Sequence, residues 1–192
     1  ADRFALIEAP TGTGKTFAYL VPAILWARAQ GEPVAVSTYT RLLQDQMAGD
    51  LKRLAAGLEI PFHAQALKGL QNYVCPARVA ALYAQLDLDR LDAEERFAWL
   101  LVLAWLSTTR DGVRDELSYW ALSTFPALEW LLGALRAEHG ECSRTACSSA
   151  GVCFHRRAYE RALSADVVVL NHALLLAKEW EATGLPFARI VI

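Results

Sequence analysis

Two groups of residues in this 192-residue chain have types and spacings suited to chemistry. The first is the run Ala9-Pro10-Thr11-Gly12-Thr13-Gly14-Lys15-Thr16. It fits the phosphate-binding pattern of two glycines, a lysine and a hydroxyl residue, with Ala9 in place of the first glycine. The glycines let backbone N–H groups curl around phosphate oxygens, and a helix beginning at Lys15 aims its positive end at them. Lys15 is placed to reach the β- and γ-phosphates of ATP, and the Thr16 hydroxyl to bind Mg²⁺. Thr11, Gly12, Thr13 and Gly14 form the cradle. Taken alone, the motif indicates a nucleoside triphosphatase and does not separate a kinase, a transporter ATPase or a motor.

The second group is cysteine. Cys142, Cys147 and Cys153 are separated by four and five residues on a Gly- and Ser-rich stretch, with Cys75 far upstream. Four thiolates can hold a cubane iron–sulfur cluster or a structural zinc. Zinc sites favour pairs of cysteines two residues apart, and this chain has none, so the spacing leans towards iron–sulfur. Two disulfides, or four unlinked buried cysteines, are the plainer alternatives.

The elements that must position these groups can be read from periodicity. Residues 4–7 are a short apolar run, expected as a strand that feeds the phosphate loop. Residues 15–28 fit a helix kinked at Pro22 and stopped at Gly31-Glu32-Pro33. Strands are expected at 34–37 and 62–67 around a helix at 40–56. This β-α-β-α-β order implies a parallel sheet covered by helices. From Cys75 to Ala165 no strand is convincing. Helices are expected at 79–86, 92–107 (starting with Asp92 and Glu95), 116–122, 128–137 and 154–163. Strands return at 166–170 and 189–192. The fold class is therefore α/β, with residues 1–67 and 164–192 forming the sheet and residues 68–163 a mostly helical insertion.

Bulk properties exclude little else. Hydrophobic residues make up 54%, enough for a packed core, and the net charge is -2, so any nucleic-acid site must be local. No apolar run approaches the ~20 residues needed to cross a bilayer. No basic leader before an apolar stretch is read as a secretory signal, and the motifs of a nucleotide enzyme make a cytoplasmic location the expectation. His63, His139 and His155 belong to no recognisable constellation and are expected at the surface or in packing.

Five stretches, in order, resemble the DinG/XPD-type iron–sulfur DNA helicases of superfamily 2, bacterial DinG branch. Glu8 through Thr16 resembles their first motif. Ser37-Thr38-Tyr39-Thr40-Arg41-Leu42-Leu43-Gln44-Asp45-Gln46 resembles motif Ia, and Lys68-Gly69-Leu70-Gln71-Asn72-Tyr73-Val74-Cys75 the approach to the first cluster cysteine. The Cys142–Cys153 spacing is similar to that of DinG. Ala165-Asp166-Val167-Val168-Val169-Leu170-Asn171-His172-Ala173-Leu174-Leu175 resembles the strand and turn before motif II.

The resemblance implies a RecA-like P-loop motor domain interrupted by a cluster domain. It further implies an ATP-dependent helicase moving 5′ to 3′ on single-stranded DNA, and acting on forked duplex as a monomer in repair or replication. Its cofactors would be ATP, Mg²⁺ and a 4Fe-4S cluster on Cys75, Cys142, Cys147 and Cys153. Thr38, Thr40 and Gln44 would touch the DNA backbone, the alternative for the threonines being helix capping. Tyr73 would stack a base or pack in the core. His172 would fix loop geometry by hydrogen bonding. Leu70 and Tyr159 stand where the family carries basic residues, and Arg144, Arg156, Arg157 and Arg161 would replace that charge. Ile190-Val191-Ile192 resembles the strand leading to the family's Asp-Glu-Ala-His tetrad, so hydrolysis is expected to need residues beyond those read here. Two other readings are a zinc-stapled nucleic-acid-binding module on a non-helicase ATPase and a redox-sensing DNA-binding module.

Overall fold

A computed structural model describes residues 8–10, 12–138, 142, 147, 150–177, 187 and 189–192. The expected strand at 4–7, together with Thr11, His139 and Arg144, lies outside them. The chain divides into two compact units, Ala1–Leu67 with Arg161–Ile192, and Lys68–Glu160. The second boundary falls inside a helix, not after it.

The first unit is built on four parallel strands: β1 (Val34–Thr38), β2 (Ala64–Ala66), β3 (Val167–Asn171) and β4 (Arg189–Val191). Their order across the sheet is β2-β3-β1-β4. β1 is buried at every position, as expected of a central parallel strand whose sequence is a continuous small or apolar run. Helices α1 (Lys15–Gln30) and α2 (Arg41–Gly57) pack on the sheet. Leu20, Ile24 and Ala27 of α1 and Met47 and Leu51 of α2 meet Val34, Val36, Val167 and Val169 in one core cluster. Each fully buried Leu or Ile there contributes on the order of 2 kcal/mol.

α1 runs through Pro22 and ends as its sequence requires. Gly31 adopts φ 69°, and its N–H donates to Ala27 O at 2.9 Å. α2 begins at Thr40, whose hydroxyl accepts from Leu43 N–H at 3.2 Å. The third strand is shorter than its pattern suggested: only Ala64–Ala66 pairs with β3. Phe62 instead packs against the core cluster, and His63 is drawn into a bond with Asp166.

Asp166 was expected as the first residue of its strand, but it precedes β3 and ties three elements together. One carboxylate oxygen accepts from His63 N–H at 2.7 Å and the other from Arg28 of α1 at 3.3 Å. Its backbone oxygen accepts from Val34 N–H at 2.9 Å, at the entry to β1. The register Val34↔Val167 follows, and with it Thr38↔Asn171 at the far end.

The second unit is helical, with α3 (Pro76–Ala84), α4 (Ala93–Thr108), α5 (Tyr119–Thr124), α6 (Pro126–Leu135) and most of α7 (Phe154–Leu163). Trp99, Val102 and Trp105 of α4 pack on Leu128, Leu131, Leu132 and Leu135 of α6. α4 starts with a capping box: Asp92 accepts from Glu95 N–H at 2.8 Å, and Glu95 accepts from Asp92 N–H at 2.9 Å.

The helix expected at 116–122 is present but starts later, as α5 at Tyr119–Thr124. Arg114–Glu116 is a 3-10 turn, and Glu116 accepts from the Trp105 indole at 2.8 Å and from the Thr109 hydroxyl. Those bonds hold Glu116 outside a helix. Ser118 caps α5, accepting from Ala121 N–H at 3.2 Å. After α8 (His172–Leu175), which belongs to the first unit, no further helix is described. Among the described residues no helix is long and apolar enough to cross a membrane.

Replacing Asp166 with Ala removes both carboxylate bonds. It should lower unfolding free energy by about 2 kcal/mol, read from the urea midpoint. Asp166→Asn keeps an oxygen for His63 N–H and should lose less. Equal losses would contradict the pinning role.

Candidate nucleotide site and cysteine cluster

In open parallel sheets ligands bind beyond the carboxyl ends of the strands. Here that edge carries Ser37 and Thr38 of β1, His172 after β3 and Ile192 after β4. They line a cavity of 260 Å³ with Thr16 and Tyr19 of α1 and with Gln46, Met47 and Asp50 of α2.

The phosphate loop lies at the start of α1. Gly12 and Gly14 both have φ 81°, a conformation that L side chains rarely adopt, and a Cβ on either would meet nothing within 4 Å. Backbone strain, not crowding, therefore selects glycine, and the space over the loop is open. Thr13 donates to Pro10 O and Lys15 Nζ to Ala9 O, each at 2.9 Å. No side chain caps α1, and its first turn carries no acid. Its leading N–H groups keep their affinity for an anion. Lys15 is exposed at this end, and Thr16 is half-buried on the cavity wall.

The residues expected at DNA are engaged internally. Gln44 is 0% exposed, and its amide donates to Leu67 O at 2.8 Å and Val169 O at 2.9 Å. It clamps α2 to the sheet and is not on a surface that DNA could reach. Its Oε1 has no partner among the described residues. The Thr38 hydroxyl donates to Thr40 O at 3.2 Å, while Thr40 takes the capping alternative at the start of α2. Tyr73 is 2% exposed, accepts from Lys68 N–H at 3.1 Å and meets the His155 ring at 5.2 Å. It packs in the core of the second unit and offers no face for a base. Among the side chains exposed after β1 are Tyr39 at 80% and Leu42 at 78%.

Two features went unnoticed in the sequence. Asp50 is a buried carboxylate on the cavity wall, paired with Arg53 at 3.1 Å. Its signal was an acid among Met47, Leu51 and Leu54 on one helical stripe. The other is the partner of His172: Ser37 Oγ lies 2.7 Å from its Nδ1.

The cysteines are held by the second unit, and all four are free thiols. Cys75 caps α3, and its N–H donates to Leu135 O at 2.8 Å. Cys142 N–H donates to Glu138 O at 3.1 Å. Glu138 accepts from Arg78 at 2.9 Å and Arg136 at 3.1 Å, joining the segment after Cys75 to the segment before Cys142. The Arg136 hydrogen bond, then Arg78, hold the Glu138 carboxyl below the usual carboxylate range. The tie is therefore intact above the ordinary carboxylate pKa and is lost only as pH falls through the lowered one. Cys153 leads into α7, its oxygen accepting from Arg157 N–H at 3.1 Å.

Burial pushes the Cys142 thiol up, and so do the charges of Cys75, Cys153 and Cys147, in that order. The four sulfurs thus share one electrostatic neighbourhood. Coulombic repulsion reaches several ångströms, whereas ligation needs closer convergence. Among the described residues no three Cys, His, Asp or Glu side chains stand in a metal-holding group.

The arginines expected to replace missing charge are partly committed. Arg156 pairs with Glu160 at 2.8 Å. Arg157 lies 4.8 Å over the Phe154 ring and donates to Arg110 O. Leu70 is buried, so a basic residue at that position would face the core, not a DNA channel.

Gly112 fixes how α7 begins. At φ 62° its Cα faces the Phe154 ring, and an added Cβ would stand 2.3 Å from the ring's Cγ. Gly112→Ala should cost about 1–3 kcal/mol and speed amide exchange at the start of α7, beside Cys153. Unchanged exchange there would contradict the contact's role.

A family model for the DEAD/DEAH box helicases matches residues 1–81. The chain is 37% identical over 93% of its length to the 3'-5' exonuclease DinG of Bacillus subtilis, covering 19% of that protein. It is 36% identical over 97% of its length to the ATP-dependent helicase DinG of Mycobacterium tuberculosis, covering 30% of it. To the ATP-dependent DNA helicase YoaA of Escherichia coli it is 33% identical over 90% of its length, covering 26% of it. The chain thus spans under a third of the length of these relatives. The parallel sheet, the helices on it and the phosphate loop are those of a RecA-like P-loop fold, and over most of its length the chain is similar to the DinG-type DEAD/DEAH box helicases.

Proposed function

We propose that this chain is the nucleotide-binding part of an ATP-dependent DNA helicase that moves 5′ to 3′ along single-stranded DNA and opens forked duplex. Residues 1–67 and 164–192 are the motor domain, and 68–163 the cluster domain. The observation that carries the reading is the open, uncapped start of α1 with Gly12 and Gly14 both left-handed. Such a helix start binds a triphosphate through backbone N–H groups. Thr11, Gly12, Thr13 and Gly14 surround the phosphates, Lys15 swings from Ala9 O to the β- and γ-oxygens, and the Thr16 hydroxyl takes Mg²⁺. The protein acts as a monomer in the cytoplasm, in DNA repair or replication.

Cys75, Cys142, Cys147 and Cys153 are the ligands of a 4Fe-4S cluster. The donor set fits the group: all four thiols are free, and Cys142 feels the charge of the other three. Burial and the neighbouring cysteines favour the protonated Cys142 thiol, so a bound cluster would have to displace that proton and neutralise the thiolates. Held by these four cysteines, a cluster would cross-link the segments around α3 and α7. The chain's own contribution is to hold those segments in place, through Cys75 N–H on Leu135 O, Arg78 and Arg136 on Glu138, and Phe154 on Gly112.

In the full-length protein, Lys15→Ala should abolish ATP-driven unwinding while DNA binding persists. Unwinding that survives the substitution would refute the motor assignment. Protein purified without oxygen should carry about four irons per chain with acid-labile sulfide, and Cys142→Ser should lose them. One zinc and no iron would replace the cluster reading with the zinc-stapled one.

A further inference from the structure

Ser37 and His172 stand at the ends of adjacent strands. Ser37 is 4% exposed, and its Oγ lies 2.7 Å from His172 Nδ1. The backbone at His172 is fixed from below, because Asn171 pairs with Thr38 across the sheet and its side chain accepts from Leu174 N–H at 2.8 Å. The other side of the His172 ring meets Tyr39, with centroids 6.2 Å apart and planes at 53°. One imidazole therefore touches a buried hydroxyl that lines the Thr16 cavity and an aromatic ring that is 80% exposed.

We infer that His172 is a positioning residue coupling the nucleotide side of the cavity to Tyr39, and that Tyr39 stacks a base of single-stranded DNA. This rests on the helicase reading above and names the residues that join its two ligands.

The physical basis is the single proton between Ser37 and His172. When Nδ1 accepts it, the Ser37 oxygen can only accept from groups in the cavity. When Nδ1 carries a proton, the Ser37 oxygen accepts that hydrogen bond and turns its own proton to the cavity, where a phosphate oxygen can accept it. The exchange moves one ring proton between Nε2 and Nδ1 through water and leaves the net charge unchanged. Either arrangement holds the ring through Nδ1, and the ring bears on Tyr39, so a cavity ligand that claims the Ser37 hydroxyl loosens both. Tyr39 suits the second role because a solvent-facing ring stacks any base without reading sequence, and Thr38, Thr40 and Gln44 are committed elsewhere.

The test compares ATP turnover by the full-length protein with and without a saturating oligothymidylate. His172→Gln keeps bulk but removes the Nδ1 position. It should cut the ratio of stimulated to unstimulated turnover by about tenfold. His172→Asn, whose amide can still reach Ser37, should restore most of it. Tyr39→Ala should weaken oligonucleotide binding by about tenfold, and Tyr39→Phe should not. If His172→Gln lowers both rates alike and leaves the ratio intact, the residue is merely structural and the proposal fails. It fails equally if Asn and Gln behave the same. If the wild-type protein binds ATP but DNA never stimulates turnover, the helicase reading falls first.

Discussion

The leading N–H groups of α1 have no intrahelical partners, and no side chain stands in for one. The rest of the first unit follows from keeping that end open yet rigid. Gly12 and Gly14 turn the chain through a conformation other residues resist, so the loop stays clear of side chains. Leu20, Ile24 and Ala27 bury the far face of the same helix in the sheet, which fixes where the open end points. Asp166, at the opposite end of the strands, sets the register that brings Ser37, His172 and Thr16 around one cavity.

The second unit solves a different problem. It holds the segments that carry the cysteines, and burial and the neighbouring cysteines keep the Cys142 thiol protonated. The restraint is distributed over a backbone bond at Cys75, the two arginines on Glu138, and a ring packed on a glycine beside Cys153. Each is modest alone. Together they make the approach of the cysteine segments a property of the helical core instead of relying wholly on a metal.

What could be read in advance was whatever is decided locally. The phosphate loop, the stop at Gly31 and the Asp92–Glu95 start of α4 depend on neighbours within a few residues, and each is where the pattern put it. What escaped depends on distant partners. Gln44 looks like a surface group by type, and only the carbonyls of Leu67 and Val169 make it interior. Glu116 looked helical until Trp105 and Thr109 claimed its carboxylate. Asp50 was invisible because a lone acid on an apolar stripe ordinarily reads as an interruption. The pairing of His172 with Ser37 required knowing that β1 and β3 are neighbours.

The most direct test of the account is directional strand displacement by the full-length protein. The substrate is a short duplex with a single-stranded tail on one side, given ATP and Mg²⁺. The account predicts displacement when the tail ends 5′ and none when the same tail ends 3′. Displacement only from the 3′ tail, or nucleotide-independent displacement from both, would contradict it.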